Sequence, residues 1–338
     1  MSNRPEGIPG ELENPPPPEP ELTLAPLTQA PAQLVSERLC QEFVPLPDEP
    51  PTEDQQPLFQ NFVRPILPPQ ERIPNFGHLV ILGLVALGGL FVAGLIASLA
   101  VHFHVLGVST MDNAAGDIRY TLGTEGLFYL ITFLICVVLF PLLWHKGFFT
   151  GLHWRAPIAF QHSGYLTGIA VVCFVLAVIS GILWPGPDDA PIDRLFRLPG
   201  AAWMLFGFGI TLAPFFEEIA FRGFLLPALC SAFDWAAEKA NDQAPPPNDE
   251  YGHPEWSTPA MVVAAIVTSL LFALMHAEQN GRSWGPFLLL CCVSLVLCWV
   301  RLGMRSLAAS VLVHASYNFF LFSMMLVGTG GFKHLDRM

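Results

Sequence analysis

Seven stretches of the chain are almost wholly apolar, near residues 79–101, 122–144, 164–184, 201–230, 258–276, 284–301 and 306–327. An α-helix needs about 20 such residues to cross about 30 Å of hydrocarbon, and the stretches are of that order. The pattern therefore predicts membrane helices. Leu79–Val101 carries no charged residue. The fourth stretch is long and holds Pro214, so it is expected to be one kinked helix or two shorter pieces, giving seven or eight spans. Gly207 and Gly209 precede that break, where a neighbouring helix can approach closely. Connections are short except Asp234–Ser257, which holds Pro245-Pro246-Pro247 and several acids and reads as a water-exposed loop. No internal repeat is visible. Lys and Arg fall almost evenly on alternate loops, so charge does not orient the chain in the membrane.

Residues 1–77 are a different material. They hold 18 of the 32 prolines and 12 Asp and Glu against 4 Arg, including Asn14-Pro15-Pro16-Pro17-Pro18-Glu19-Pro20. Such a segment buries too little apolar surface to offset its ordering entropy, and a disordered tail with polyproline II stretches is expected. A short patch, Ala32–Val44, has the pattern of a marginal helix, and Pro15–Pro18 offers a docking partner a weak foothold. Residues 1–30 lack the basic start and apolar core of a signal peptide. The expected fold class is all-α: a polytopic membrane helical bundle preceded by a disordered acidic Pro-rich tail. Its expected division is 1–77 tail, 78–160 N-terminal transmembrane helices, 161–328 membrane core and 329–338 C-terminal tail.

Composition agrees. The 338 residues are 52% hydrophobic and only 13% charged, against about 25% charged in soluble domains. A net charge of -12 argues against nucleic acid as a partner, because phosphate binding needs clustered Lys and Arg. The seven cysteines have neither zinc-like nor disulfide-like spacing, and most lie in apolar runs as small hydrophobes.

Where charge is this scarce, each ionisable group inside an apolar run is informative. A charge at the centre of a membrane helix costs about 2.5–3.5 kcal/mol on insertion scales and normally faces the bundle interior. Three clusters stand out. In Phe215-Phe216-Glu217-Glu218-Ile219-Ala220-Phe221-Arg222, Glu218 and Arg222 are four apart on one helix face, with the acid N-terminal to the base. Glu217 points about 100° away. The spacing assigns Glu218 to an ion pair and leaves Glu217 for chemistry. A carboxylate removed from water suits general-base work near neutral pH. The competing reading is an ion-pair staple between helices with no catalysis. The second cluster, Phe272-Ala273-Leu274-Met275-His276, ends in a histidine that by itself also fits a helix-end packing role. The third, His314-Ala315-Ser316-Tyr317-Asn318, puts His314 and Asn318 on one face, where either is able to bond another helix. Together the clusters supply one free carboxylate, two histidines and an asparagine on three helices, a set that can activate a water and stabilise an oxyanion.

Glu217-Glu218-x-x-x-Arg222, Phe272-x-x-x-His276 and His314-x-x-x-Asn318, in this order, resemble the three-motif signature of the CAAX prenyl endopeptidase/Abi family of intramembrane proteases. The resemblance spans about residues 165–325. It implies a membrane endopeptidase of the glutamate type. Glu217 and His276 would activate water, His314 and Asn318 would hold the oxyanion, and Glu218 and Arg222 would support the site. It implies no metal or other cofactor, a lipid environment, and a protein or peptide substrate, lipidated in some members. A bacterial cytoplasmic membrane is the expected location. Other readings stay open: a metal-dependent hydrolase with Glu217, His276 and His314 as ligands, although no H-E-x-x-H is present; a non-catalytic membrane scaffold; and a proton-coupled transporter, although no inverted repeat is seen. Ser310 shares a face with His314 but lacks the Gly-flanked setting of a nucleophile and reads as a packing residue.

Overall fold

A computed structural model of the protein describes residues 72–187, 190–198, 200–246 and 254–333. The chain divides into two units, Met1–Pro68 and Pro69–Met338, and every described residue belongs to the second. The expected tail up to residue 71, with Ala32–Val44 and Pro15–Pro18, lies outside the described residues, as do residues 334–338.

Among the described residues every regular element is helical. The main helices are α1 (Phe76–His102), α2 (Ile118–Trp144), α3 (Ser163–Leu183), α4 (Ala201–Ile210), α5 (Leu212–Glu218), α6 (Leu226–Ala240), α7 (Thr258–His276), α8 (Trp284–Met304) and α9 (Leu307–Gly328). A π-turn, Ile219–Leu225, joins α5 to α6. Counting Ala201–Ala240 as one interrupted span, seven helical segments among the described residues are long and apolar enough to cross a membrane. The protein is an integral, multi-pass membrane protein.

Local chemistry starts these helices where the apolar runs begin. Asn75 caps α1: its side chain accepts the His78 amide at 3.2 Å, and the His78 ring accepts the Asn75 amide at 3.1 Å. Ser257 caps α7 and Ser306 caps α9 through their hydroxyls. Leu84, Leu87, Leu90 and Phe91 of α1 and Val138 and Leu142 of α2 are exposed. In a bilayer such faces meet acyl chains rather than water.

The interior is a set of local cores. Leu166, Ala170 and Cys173 of α3 pack on Val293 and Leu297 of α8 and Val313 and Tyr317 of α9. A second core joins Phe140 and Trp144 of α2 to Phe224 of the π-turn and Leu307 of α9. The π-turn thus has packed helices around it.

Three sequence expectations need correction. The break in the fourth span falls at Thr211, whose φ of -123° and ψ of -76° are not helical, rather than at Pro214. Pro214 sits in the first turn of α5, where amide hydrogens have no intrahelical partner and proline is tolerated. The long loop begins later than Asp234, because α6 runs on to Ala240. Asp234 is buried, and its carboxylate accepts the Ser257 hydroxyl at 2.5 Å and amide at 3.0 Å. Finally, Gly209 but not Gly207 marks a close helix approach. A Cβ on Gly209 would meet the Phe322 ring of α9 at 2.6 Å, whereas Gly207 faces open space.

Candidate active site

The polar centre is assembled by α5, the π-turn, α7, α8 and α9. Glu218 ends α5 and is fully buried. Its Oε1 accepts Arg222 Nη1 at 2.8 Å and His314 Nδ1 at 2.9 Å. The i,i+4 pairing expected from sequence is present and spans the junction into the π-turn. Arg222, also fully buried, donates Nη2 to the Ser294 hydroxyl at 2.6 Å and the Ser294 carbonyl at 3.2 Å. Its guanidinium lies 4.7 Å from the Phe272 ring centroid, close enough for a cation–π contact. Ser310 adds a buried hydroxyl beside Glu218, and that hydroxyl also donates to the Leu307 carbonyl at 3.0 Å.

Glu217 faces another way. Its Oε1 is 3.8 Å from His276 Nε2, and its Oε2 is 3.8 Å from His314 Nε2. Both distances are too long for direct hydrogen bonds. The ring tautomers follow from the partners. His276 Nδ1 lies 2.8 Å from the Phe272 carbonyl, which can only accept, so Nδ1 carries a proton and Nε2 of the neutral ring is a lone pair directed toward Glu217. His314 donates Nδ1–H to Glu218, so its Nε2 donates only when the ring is an imidazolium. Phe272 packs against both rings, 4.5 Å from His276 and 5.9 Å from His314 between centroids. That gives the aromatic residue of the second cluster its role as the spacer between the two histidines.

Asn318 bonds to the end of α4. Its Nδ2 donates to the Gly209 carbonyl at 2.7 Å. The Thr211 break strands carbonyls at the end of α4, and three are satisfied locally: Gly207 by the Thr211 hydroxyl at 2.6 Å, Phe208 by the Thr211 amide at 3.3 Å, and Gly209 by Asn318. Asn318 therefore fastens α9 to the helix break just before Glu217. Of the six sequence candidates, Glu217, Glu218, Arg222, His276 and His314 converge, and Asn318 stands one turn beyond His314 on the same helix.

Two features were not read from the sequence. Arg301, placed there at the end of a span, is inside α8 and almost fully buried. Its Nε donates to the Arg222 carbonyl at 3.2 Å and its Nη2 to the Leu152 carbonyl at 3.3 Å. In a π-turn the Arg222 carbonyl would pair with residue 227, which is proline and has no N–H. Arg301 supplies the missing donor. The second feature is Glu125 in α2, which accepts the Tyr129 hydroxyl at 3.0 Å and lies within electrostatic reach of Glu217 and His276. An unpartnered acid in an apolar run was a usable signal for Glu125, and Arg301 carried a similar one.

Glu217 and Tyr129 line a cavity of about 380 Å³ whose other walls are apolar apart from Thr132, among them Leu79 and Leu82 of α1, Phe128 and Phe133 of α2, and Met275 of α7. No group of three or more His, Cys, Asp or Glu among the described residues is arranged to hold a metal ion.

Residues 199–320 match the family described as type II CAAX prenyl endopeptidase, Rce1-like. This segment is similar to that family. It covers about a third of the chain, from the start of α4 into α9, and contains all six sequence candidates. The Rce1-like family is a family of proteases, and the match agrees with the CAAX protease/Abi resemblance of the three motifs. The match begins after α3, so α1, α2 and α3 lie outside it although they pack against the matched segment. No curated protein and no solved structure matches the chain.

Proposed function

We propose that the protein is an intramembrane endopeptidase that hydrolyses a peptide bond with a water held between Glu217 and His276. The observation that carries this reading is the pair of 3.8 Å gaps separating Glu217, which lines the cavity, from two histidine Nε2 atoms. A water in the Glu217–His276 gap can donate one O–H to the carboxylate and the other to the imidazole lone pair. Its own lone pair is then left for attack on a carbonyl carbon. As the C–O bond forms, Glu217 takes the proton from the water, and the carbonyl electrons move to oxygen. His314, as imidazolium, and the second N–H of Asn318 are the donors for that oxyanion; one such preorganised donor is worth about 3–4 kcal/mol. Collapse of the intermediate breaks the C–N bond, and the proton held by Glu217 passes to the leaving nitrogen. Glu218, Arg222 and Ser294 fix His314 and the end of α5.

The apolar cavity walls suit a substrate that is itself membrane-associated, with an apolar or lipid-like portion occupying the cavity beside the scissile bond. The test is cleavage of a membrane-associated peptide library, with and without lipidation, by the purified full-length protein in lipid vesicles. Wild type is expected to generate new termini and Glu217→Gln to generate none. Equal cleavage by both would overturn the mechanism.

A further inference from the structure

Glu125 and Tyr129 lie outside the matched domain and outside the six candidates, yet Tyr129 shares a cavity wall with Glu217. The two residues are one turn apart on the same face of α2, and the tyrosine hydroxyl donates its single proton to Glu125 Oε1 at 3.0 Å. The Tyr129 ring packs against two others, with its centroid 4.8 Å from that of Phe216 and 5.9 Å from that of Phe208. Phe216 is the residue immediately before Glu217. The phenol therefore stands at a set place relative to the base, and its proton is already committed. What its oxygen has left to offer is lone pairs.

An acceptor of this kind, on a wall whose only other polar side chains are Thr132 and Glu217, has a natural counterpart. A peptide entering the cavity in extended form brings backbone N–H groups out of water, and each one left without an acceptor in a dry site is penalised. Nearly all of the cavity's other lining residues are apolar. We propose that Tyr129, locked as an acceptor by Glu125, receives one backbone N–H of the substrate near the scissile bond and so sets the register in which the peptide meets Glu217. Glu125 is then a positioning residue that acts through Tyr129. This inference rests on the endopeptidase reading above.

The experiment uses one cleaved peptide and a series in which a single backbone nitrogen near the scissile bond is methylated in each member. Wild type, Tyr129→Phe and Glu125→Ala are assayed in vesicles, with Glu217→Gln as the inactive reference. One methylated position is expected to raise the wild-type KM about five- to tenfold beyond its neighbours, the size of one neutral hydrogen bond. In Tyr129→Phe that same position should show no such excess, because the acceptor is already gone, while methylation elsewhere acts as in wild type. Glu125→Ala leaves the ring in place but frees its proton; it should shrink the position-specific effect and carries the test should Tyr129→Phe fail to fold. If every methylated peptide loses equally in wild type and both variants, the inference fails while the endopeptidase reading stands. If wild type cleaves the parent peptide no better than Glu217→Gln, both fail together.

Discussion

Glu217 and Glu218 are joined by one peptide bond, and their surroundings differ in almost every respect. The Glu218 side chain has no exposed surface, and its Oε1 is shared between a guanidinium and an imidazole at hydrogen-bond distance. The Glu217 side chain keeps 14% of its surface, borders a cavity, and faces two imidazoles across gaps. The chemistry of the two groups is identical, so the contrast comes from helix phase and from which helices lie on each side. The 100° step between neighbours turns one carboxyl toward Arg222, Ser294 and His314, and the other toward the space left between α1, α2 and α7. A carboxylate bonded directly to a guanidinium and an imidazole holds helices together, and one held off from its neighbours beside a cavity has room for water.

The largest effect should come from the acid beside the cavity. Glu217→Gln is expected to lower kcat/KM by at least about 10³-fold, the weight of a lost general base, with an unchanged thermal melt in detergent. Activity within about tenfold of wild type would dissolve the contrast. On the other side, Arg222→Ala strands Glu218 and should destabilise the fold by about 3–5 kcal/mol, read as a lower melting temperature and poorer membrane yield. Adding Glu218→Gln should recover part of that loss, because the stranded charge goes with it. Were the two phenotypes exchanged, the roles assigned to the neighbouring acids would be reversed.

Asn318→Ala tests the border between the two regions. It should reduce kcat by about 10²-fold through the lost oxyanion donor and lower stability by about 1 kcal/mol through the stranded Gly209 carbonyl. A loss of stability with no change in kcat would place Asn318 wholly on the holding side. A smaller effect is expected at Asp117, which caps α2 and pairs with Arg119 at 2.6 Å on the exposed end of the helix. The adjacent Arg119 side chain holds the Asp117 carboxyl below the usual carboxylate range. Its contribution is thus present above the ordinary carboxylate value and fades as pH falls through the lowered one. Asp117→Ala should cost about 0.5–1 kcal/mol at neutral pH as a lost cap, and the difference from wild type should shrink in acid melts. A loss as large as that of Arg222→Ala would mean that burial is not what separates strong pairs from weak ones here. Last, chelators should leave turnover unchanged, since both groups proposed to activate water belong to the chain; inhibition reversed by added zinc would reassign Glu217, His276 and His314 as ligands.

What the sequence made legible was what depends on near neighbours. Hydropathy marked all seven spans, and a four-residue spacing marked the Glu218–Arg222 pair and the divergence of Glu217. The cluster spacing also marked His276 and His314, though not that His314 bonds Glu218 across 96 residues. What stayed hidden depends on contacts between distant segments. Arg301 reaches the Arg222 carbonyl 79 positions away and the Leu152 carbonyl 149 away, and no spacing rule connects them. The break at Thr211 was misplaced at Pro214 because proline is disruptive only where its missing N–H would have had a partner.

The π-turn carries a consequence for how the two halves of the fourth span are phased. Ile219–Leu225 contains one residue more than an α-helix of the same rise would accommodate. If the turn relaxed into ordinary α geometry with all its residues kept, the segment before it would rotate by about 100° relative to α6. Glu217 would swing off the cavity, and Glu218 would no longer meet Arg222 and His314 together. The wide turn acts as a phase key between two helical halves, so a change that drew it into α geometry would disturb the site without altering any of its side chains.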